Sequence, residues 1–285
     1  MSTVSRSNQG VLVTRFAPSP TGYLHRGHAF SALTALEAAR EAHGRFILRI
    51  EDIDVTRCRP EFETAIHEDL AWLGIEWETP VRRQSEHMAD YEADLERLRA
   101  MGLLYRCFRT RSELAGDVAA APHGPMEAFR GGPLPADDEA ERLGRGEGFA
   151  WRLSLRAAGA RLGGFQDLRF FVEGEGWTQA RPELGGDIVL ARKDARVAYH
   201  LASVGDDARA GVTHVIRGED LAEAAHVHRL LQALLDLPTP AYRHHRLILG
   251  AEGKRLAKRD KAETLRDLRD RGMTPAQVRK ELGFG

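Results

Sequence analysis

Apolar positions along the chain follow two spacings. Val11-Leu12-Val13 is a continuous apolar run, and Phe46-Ile47-Leu48-Arg49-Ile50 is nearly one. Asp187-Ile188-Val189-Leu190, Val212-Thr213-His214-Val215-Ile216 and the stretch Tyr242 to Leu249 have the same short, aliphatic character. Such runs predict strands buried in a parallel sheet. Between them the spacing lengthens to that of a helix. Ala29 to Arg40 places apolar residues at Phe30, Leu33, Ala35, Leu36 and Ala39, and helices are predicted likewise over 60–73, 88–101 and 222–235. Pro60 sits in the first turn of one helix and Gly102 closes another. Strands alternating with helices predict an α/β fold, a Rossmann-like doubly wound parallel sheet with helices on both faces.

The alternation breaks after Tyr105. Residues 115–148 are rich in Ala, Gly and Pro and predict an inserted lobe, followed by strands over 149–155 and 168–172. Two short helices, 262–271 and 275–282, are expected at the end, and no repeat of solenoid period is present. Met1 to Gly10 is polar, lacks an apolar signal core and reads as a disordered tail.

Composition narrows the class. With 285 residues, 42% hydrophobic and 29% charged, the chain suits a soluble globular enzyme. No run reaches the ~20 apolar residues of a membrane span. Two cysteines, Cys58 and Cys107, cannot build a disulfide framework, so cytoplasmic residence is expected. The 41 basic and 42 acidic residues leave a net charge of −1, which argues against a broad electrostatic grip on nucleic acid but leaves room for a local basic surface.

The chemistry concentrates in Arg15 to His28. Strand, Pro/Gly loop and helix start is the geometry that brings backbone N–H groups and a helix dipole onto a phosphate. Two histidines, His25 and His28, flank Gly27, which would let a flat ligand approach the backbone. The loop is neither a G-x-G-x-x-G nor a P-loop pattern. Arg49-Ile50-Glu51-Asp52-Ile53-Asp54 ends the second predicted strand, and ligands of such sheets bind beyond the carboxyl ends of strands. Glu51 would then face the same crevice as the histidines and could hold an ammonium group. Its plainer alternative is a strand-end cluster with Arg49 and Arg57. A Mg²⁺ site of Glu51, Asp52 and Asp54 ranks lower, because adjacent carboxylates on a strand point to opposite faces.

R-F-A-P-S-P-T-G-x-L-H-x-G-H resembles the first signature of glutamyl-tRNA synthetases, a class I aminoacyl-tRNA synthetase family, and His25-Arg26-Gly27-His28 resembles its HIGH element. Arg49 to Asp54 resembles R-I-E-D-T-D of that family. Gly186 to Asp194, Tyr199 to Asp207 and Gly211 to Asp220 resemble its second half. Gly253 to Arg259 resembles the K-L-S-K-R form of the KMSKS loop, with Arg255 for the first Lys and Ala257 for the Ser. The resemblance implies a glutamate pocket of Arg15, Phe16, Ala17, Pro18, Ser19, Glu51, Tyr199 and Arg217. In it Arg15 would read the side-chain carboxylate, Arg217 the α-carboxylate and Glu51 the ammonium group. Tyr199, taken alone, reads as a half-buried strand aromatic. The resemblance also implies an ATP site of His25, Gly27, His28, Arg255 and Lys258, with Mg²⁺ on the phosphates. His25, His28 and Lys258 would stabilise the charge of the reaction. The segments it implies are 11–105 and 186–240 as halves of the catalytic domain, 106–185 as a connective, acceptor-binding insertion, and 241–285 as KMSKS loop and truncated stem-contact helices.

One feature departs from many relatives, which carry C-x-C after a Tyr and a later Y-x-x-x-C as a zinc knuckle. Here Arg109 replaces the second Cys after Tyr105 and Cys107, and Pro122 to Arg130 contains no Cys. Cys107 and His123 cannot close a four-ligand shell, so zinc is expected to be absent, with Phe129 filling the space. Only 26 residues follow Arg259, fewer than an anticodon-binding region needs. The chain therefore resembles a truncated branch of the family that esterifies glutamate onto queuosine in the anticodon loop of tRNA(Asp). The expected partners are L-glutamate and queuosine-containing tRNA(Asp), with no membrane, and the chain acting as a monomer. The alternatives are a minimal glutamyl-tRNA synthetase acting on the terminal adenosine and a non-catalytic amino-acid- or tRNA-binding paralogue.

Overall fold

The structure, a computed structural model, describes residues 10–109, 113, 129–192, 197–248 and 263–285. Its elements in chain order are β1 (Val13–Phe16), helix Arg26–Glu41, β2 (Arg45–Ile50), helix Pro60–Trp72, β3 (Glu78–Arg83), helix Met88–Ala100 and β4 (Leu104–Cys107). Then come helix Ala136–Gly144, β5 (Ala150–Leu153), helix Leu155–Leu162, β6 (Arg169–Val172), β7 (Gly176–Gln179) and β8 (Val189–Arg192). Helix Tyr199–Arg209, β9 (His214–Gly218), helix Ala224–Leu234, β10 (Ala241–His245) and helices Leu265–Asp270 and Pro275–Glu281 complete the chain.

β1, β2 and β3 form one parallel sheet, and a second runs β7-β6-β10-β9 with β10 parallel to both neighbours. The two meet at β1 and β9. The Thr213 N–H donates to the Val13 carbonyl at 3.0 Å, and the Thr213 hydroxyl accepts from the Val13 N–H at 2.9 Å. The parallel strands thus run β3-β2-β1-β9-β10-β6. The chain winds outward from β1 in one direction and restarts at β9 in the other, so the β1/β9 junction is the topological switch point, where a crevice opens at the carboxyl ends.

Alternate strand residues feed two cores. Val13, Ile47 and Val215 pack on the face of helices Met88–Ala100, Tyr199–Arg209 and Ala224–Leu234. Phe46, Leu48 and Ile216 pack on the other face, with helix Arg26–Glu41 and the two terminal helices through Leu268 and Val278. β4, β5 and β8 make a separate antiparallel sheet. Sheet membership crosses the expected segment limits, since β6 lies in the span read as the insertion yet pairs with β10.

Several local readings shift. β1 begins at Val13, and Val11 is exposed. β8 begins at Val189 and β10 ends at His245, each offset from its apolar run. Tyr199 opens a helix and is not a strand residue. That helix gives no 3.6-residue signal because Leu201 to Asp207 is buried without interruption. β3 escapes notice because Glu-Thr-Pro-Val-Arg-Arg is an edge strand with no apolar alternation. No helix among the described residues is long and apolar enough to cross a membrane.

Candidate active site

A cleft of about 450 Å³ opens at the switch point. It brings together every candidate ligand residue that the structure describes: Arg15 and Phe16 at the end of β1 with Ala17, Pro18 and Ser19 after it, His25, Gly27 and His28 at the helix start, Glu51 after β2, and Tyr199 and Arg217 from the second half. Arg255 and Lys258 lie outside the described residues, as do His123 and the expected tail up to residue 9. Described residues on either side of the segment with Arg255 and Lys258 touch the cleft or its helix start. Ile248, just before it, lines the cleft. Thr264, just after it, bridges to His25, and the Leu265 N–H donates to the Leu24 carbonyl at 2.8 Å.

The histidine turn is a helix cap. The His25 Nδ1 accepts the Gly27 N–H at 3.1 Å, and the His28 Nδ1 accepts the His25 N–H at 3.1 Å. Both Nδ1 atoms are therefore acceptors, which places the proton of each neutral ring on Nε2. The rings lie 3.8 Å apart between centroids. A Cβ on residue 27 would sit 3.0 Å from the His25 ring, so glycine makes room for the cap itself.

Below the cleft runs a buried ion network that the sequence reading did not foresee. Arg49 is 1% exposed and donates to Asp207 at 2.6 Å and to Glu51 at 2.9 Å. Asp207 also accepts from the Arg15 Nε at 3.2 Å, and the Arg15 Nη1 donates to the Ile216 carbonyl at 3.3 Å. Asp206 accepts from Arg82 at 2.8 Å, Gln84 at 2.9 Å and the Tyr91 hydroxyl at 2.8 Å. Burial would raise the Asp207 carboxyl, but Arg15 and Arg49 outweigh it and hold the group below its ordinary value. Burial does raise Glu51, against the pull of Arg49 and Arg15. Arg15 is thus a partly committed fork. Of the two partners expected for Glu51, Arg49 is present, whereas Arg57 turns to Asp54 at 2.7 Å. The only sequence signal for this network was Asp206-Asp207, two acids adjacent in an otherwise small and apolar stretch.

Arg217 is different. It is 4% exposed, and none of its three guanidinium nitrogens has a hydrogen-bond partner among the described residues. Its guanidinium lies over the Tyr242 ring, 5.4 Å from the centroid. Burial, helped by the Arg217 charge, pushes His200 and His244 down to about 4, and His228 also falls well below its ordinary value. His200 Nδ1 and His228 Nε2 are 3.2 Å apart, a neutral pair sharing one proton. Burial, then the Glu51 charge, raises the Tyr199 hydroxyl, which stays protonated as a donor. A buried cation with no anion beside it is costly unless a ligand supplies one.

The carboxylates weighed for Mg²⁺ do not converge. Asp52 accepts from the Ser85 N–H at 2.8 Å, and Asp54 accepts from Thr56 and Arg57. Among the described residues no three His, Cys, Asp or Glu groups are placed to hold a metal. At the degenerate zinc motif, Cys107 is buried on β4. The Phe129 ring lies under two guanidinium groups, those of Arg109 at 5.7 Å and Arg152 at 4.5 Å.

Residues 11–283 match the family of tRNA synthetases class I (E and Q), catalytic domain. A glutamyl-Q tRNA(Asp) synthetase of Rhodobacter capsulatus is 45% identical over 96% of this chain and 100% of its own length. A glutamate–tRNA ligase 2 of a Methylobacterium species is 42% identical over 93% of this chain and 58% of its own. Among solved structures, a glutamate tRNA ligase of Elizabethkingia meningosepticum, in complex with its amino acid, superposes with a TM-score of 0.72 at 29% identity. This chain covers 54% of that one, about half its length.

Proposed function

Because the chain belongs to the class I tRNA synthetases (E and Q), we propose that it is a ligase that activates glutamate with ATP and transfers it onto queuosine in tRNA(Asp), acting as a cytoplasmic monomer. The name of similar relatives, glutamyl-Q tRNA(Asp) synthetase, supports that acceptor. The observation that carries the amino-acid half is the partnerless Arg217. Around the cleft floor Arg15 and Arg49 are paired with Glu51, Asp206 and Asp207, whereas Arg217 has no hydrogen-bond partner among the described residues. A carboxylate of glutamate would supply the anion that Arg217 lacks, and Glu51 would face the ammonium group. A neutral amide in place of the side-chain carboxylate would leave guanidinium charge unmatched, which disfavours glutamine.

In this reading a carboxylate oxygen of glutamate bonds to the α-phosphorus of ATP while the bond to the pyrophosphate oxygen breaks. Arg217 and the uncommitted end of Arg15 hold the carboxylates, Glu51 the ammonium group, and Tyr199 donates its hydroxyl. His25 and His28 offer Nε2–H donors to phosphate oxygens whose charge grows in the transition state. Lys258 and Arg255 would add positive charge at the phosphates. Mg²⁺, when bound with ATP, neutralises part of the phosphate charge. An RNA hydroxyl then bonds to the glutamyl carbonyl carbon, loses its proton, and AMP leaves.

The test is glutamate-dependent ATP–pyrophosphate exchange without RNA, then transfer of labelled glutamate to tRNA(Asp) with and without queuosine, with tRNA(Glu) as control. Absence of exchange would overturn the reading. Charging of tRNA(Glu) would favour the minimal glutamate–tRNA ligase that the Methylobacterium similarity keeps open. The insertion is proposed to hold no zinc, since Arg109 cannot ligate it. About one zinc per chain in elemental analysis of protein purified without added metal would refute this.

A further inference from the structure

Arg217 stands among aromatic and imidazole rings. Val215, two residues earlier on β9, packs on the face that carries helices Tyr199–Arg209 and Ala224–Leu234, and strand alternation turns Arg217 to the same side. The Tyr242 ring beneath its guanidinium is itself held, since the Tyr242 hydroxyl accepts from the Gln232 side chain at 3.2 Å. His228 lies one helical turn before Gln232 and projects from the same helix face. It is 2% exposed. Its Nε2 is 3.2 Å from the His200 Nδ1, and its ring centroid lies 5.4 Å from that of His200 and 5.8 Å from that of Tyr199.

The chemistry at position 228 is constrained from two sides. A carboxylate there would pair with Arg217 and cancel the charge that a ligand must find. An apolar side chain would take from the His200 Nδ1 its partner and loosen the packing of Tyr199. A neutral imidazole avoids both: it bonds to His200, packs on Tyr199 and brings no anion. Burial most of all, then the charges of Arg217, His200, Arg15 and Arg49, disfavours protonation of His228, so the ring stays neutral.

We infer that His228 is a positioning residue of the amino-acid pocket: as a ring locked to His200, it holds Tyr199 in place and reserves Arg217 for the substrate carboxylate. This rests on the reading that glutamate occupies the cleft. The test compares His228→Gln with His228→Glu, side chains of nearly the same shape, in the full chain, each with Arg217 intact and with Arg217→Met. Glutamate and ATP KM are measured by pyrophosphate exchange with Arg217 intact, and melting temperatures are measured at pH 8 in all four variants. His228→Gln keeps a neutral hydrogen-bonding partner for His200 and should leave the glutamate KM within about threefold of the parent. His228→Glu should raise it on the order of tenfold or more with the ATP KM unchanged, because an internal carboxylate competes for Arg217. It should also melt about 2–4 °C above His228→Gln, and that gain should vanish beside Arg217→Met, which leaves no cation to meet. Equal glutamate KM in the two variants, an ATP KM that rises in step, or a melting difference that does not depend on Arg217 would overturn the inference. If the parent exchanges no glutamate, the reading of the cleft fails, while the melting cycle still decides whether His228 spares the Arg217 charge.

Discussion

Arg217 and Arg15 are the same residue type in one cleft with opposite surroundings. Arg15 is held by Asp207 and a carbonyl, so Arg15→Ala would leave the buried Asp207 with Arg49 as its remaining cation and unsettle the fold as well as the pocket. Arg217 has no hydrogen-bond partner to strand among the described residues. Arg217→Ala should therefore raise the glutamate KM on the order of 10²–10³-fold, in line with loss of one buried charged contact, with the ATP KM unchanged and the melting temperature equal or higher. Exchange kinetics and a thermal melt check both, and an unchanged glutamate KM would remove Arg217 from the pocket. The neighbouring histidines set a pH dependence. His200 and His244 are pushed from 6.5 to about 4 by burial and Arg217. Their folded values lie below the unfolded ones, so the unfolded chain takes up protons first as pH falls. Their stability contribution is complete above about pH 6.5 and is lost between there and pH 4, at up to ~1.4 kcal/mol per pH unit for the deeply buried His200 and less for the half-buried His244, which solvent screens. Urea titrations at pH 7 and pH 5 measure this, and equal stability at both would contradict buried, neutral rings.

Elements place these residues through short covalent paths. One strand–loop–helix unit, β1 to helix Arg26–Glu41, carries Arg15, the Phe16–Ser19 backbone and both capping histidines. The return into β2 is equally tight. The Arg45 N–H donates to the Leu12 carbonyl at 2.7 Å, and a Cβ on Gly44 would lie 2.2 Å from that oxygen. Gly44→Ala must displace β2 from β1 and should cost about 1–3 kcal/mol, as overpacking does. Chemical denaturation measures it, and a loss below the error of the fit would mean the turn relaxes freely. Elements with a clean period were legible in the sequence, among them helix Arg26–Glu41 and strand β2. Helix Tyr199–Arg209 was not, because a helix buried on all sides has no polar face to mark its period. β3 was not, because an edge strand needs no second apolar face.

Across the whole molecule, the terminal helices are part of the core beneath the histidine turn. Leu268 is fully buried there, and Thr264 at the start of its helix bridges to His25. Leu268→Ala should cost about 2–5 kcal/mol and lower exchange through its effect on the turn. Calorimetry with exchange on the same sample checks it; full activity in a destabilised variant would separate the helices from the site. What the sequence determined by itself was local: the alternation of strands and helices, and the loop whose residue order sets His25, Gly27 and His28 on one helix start. Most of the pocket's residue types were legible as well, because motif residues close in sequence are fixed by short backbone paths. Only the tertiary structure decided the charges. Asp207 meets Arg15 across 192 residues and Arg49 across 158, and Arg217 bonds to no acid among the described residues. Whether a guanidinium is neutralised depends on which distant side chain shares its low-dielectric space, and that is a property of packing that residue order does not contain.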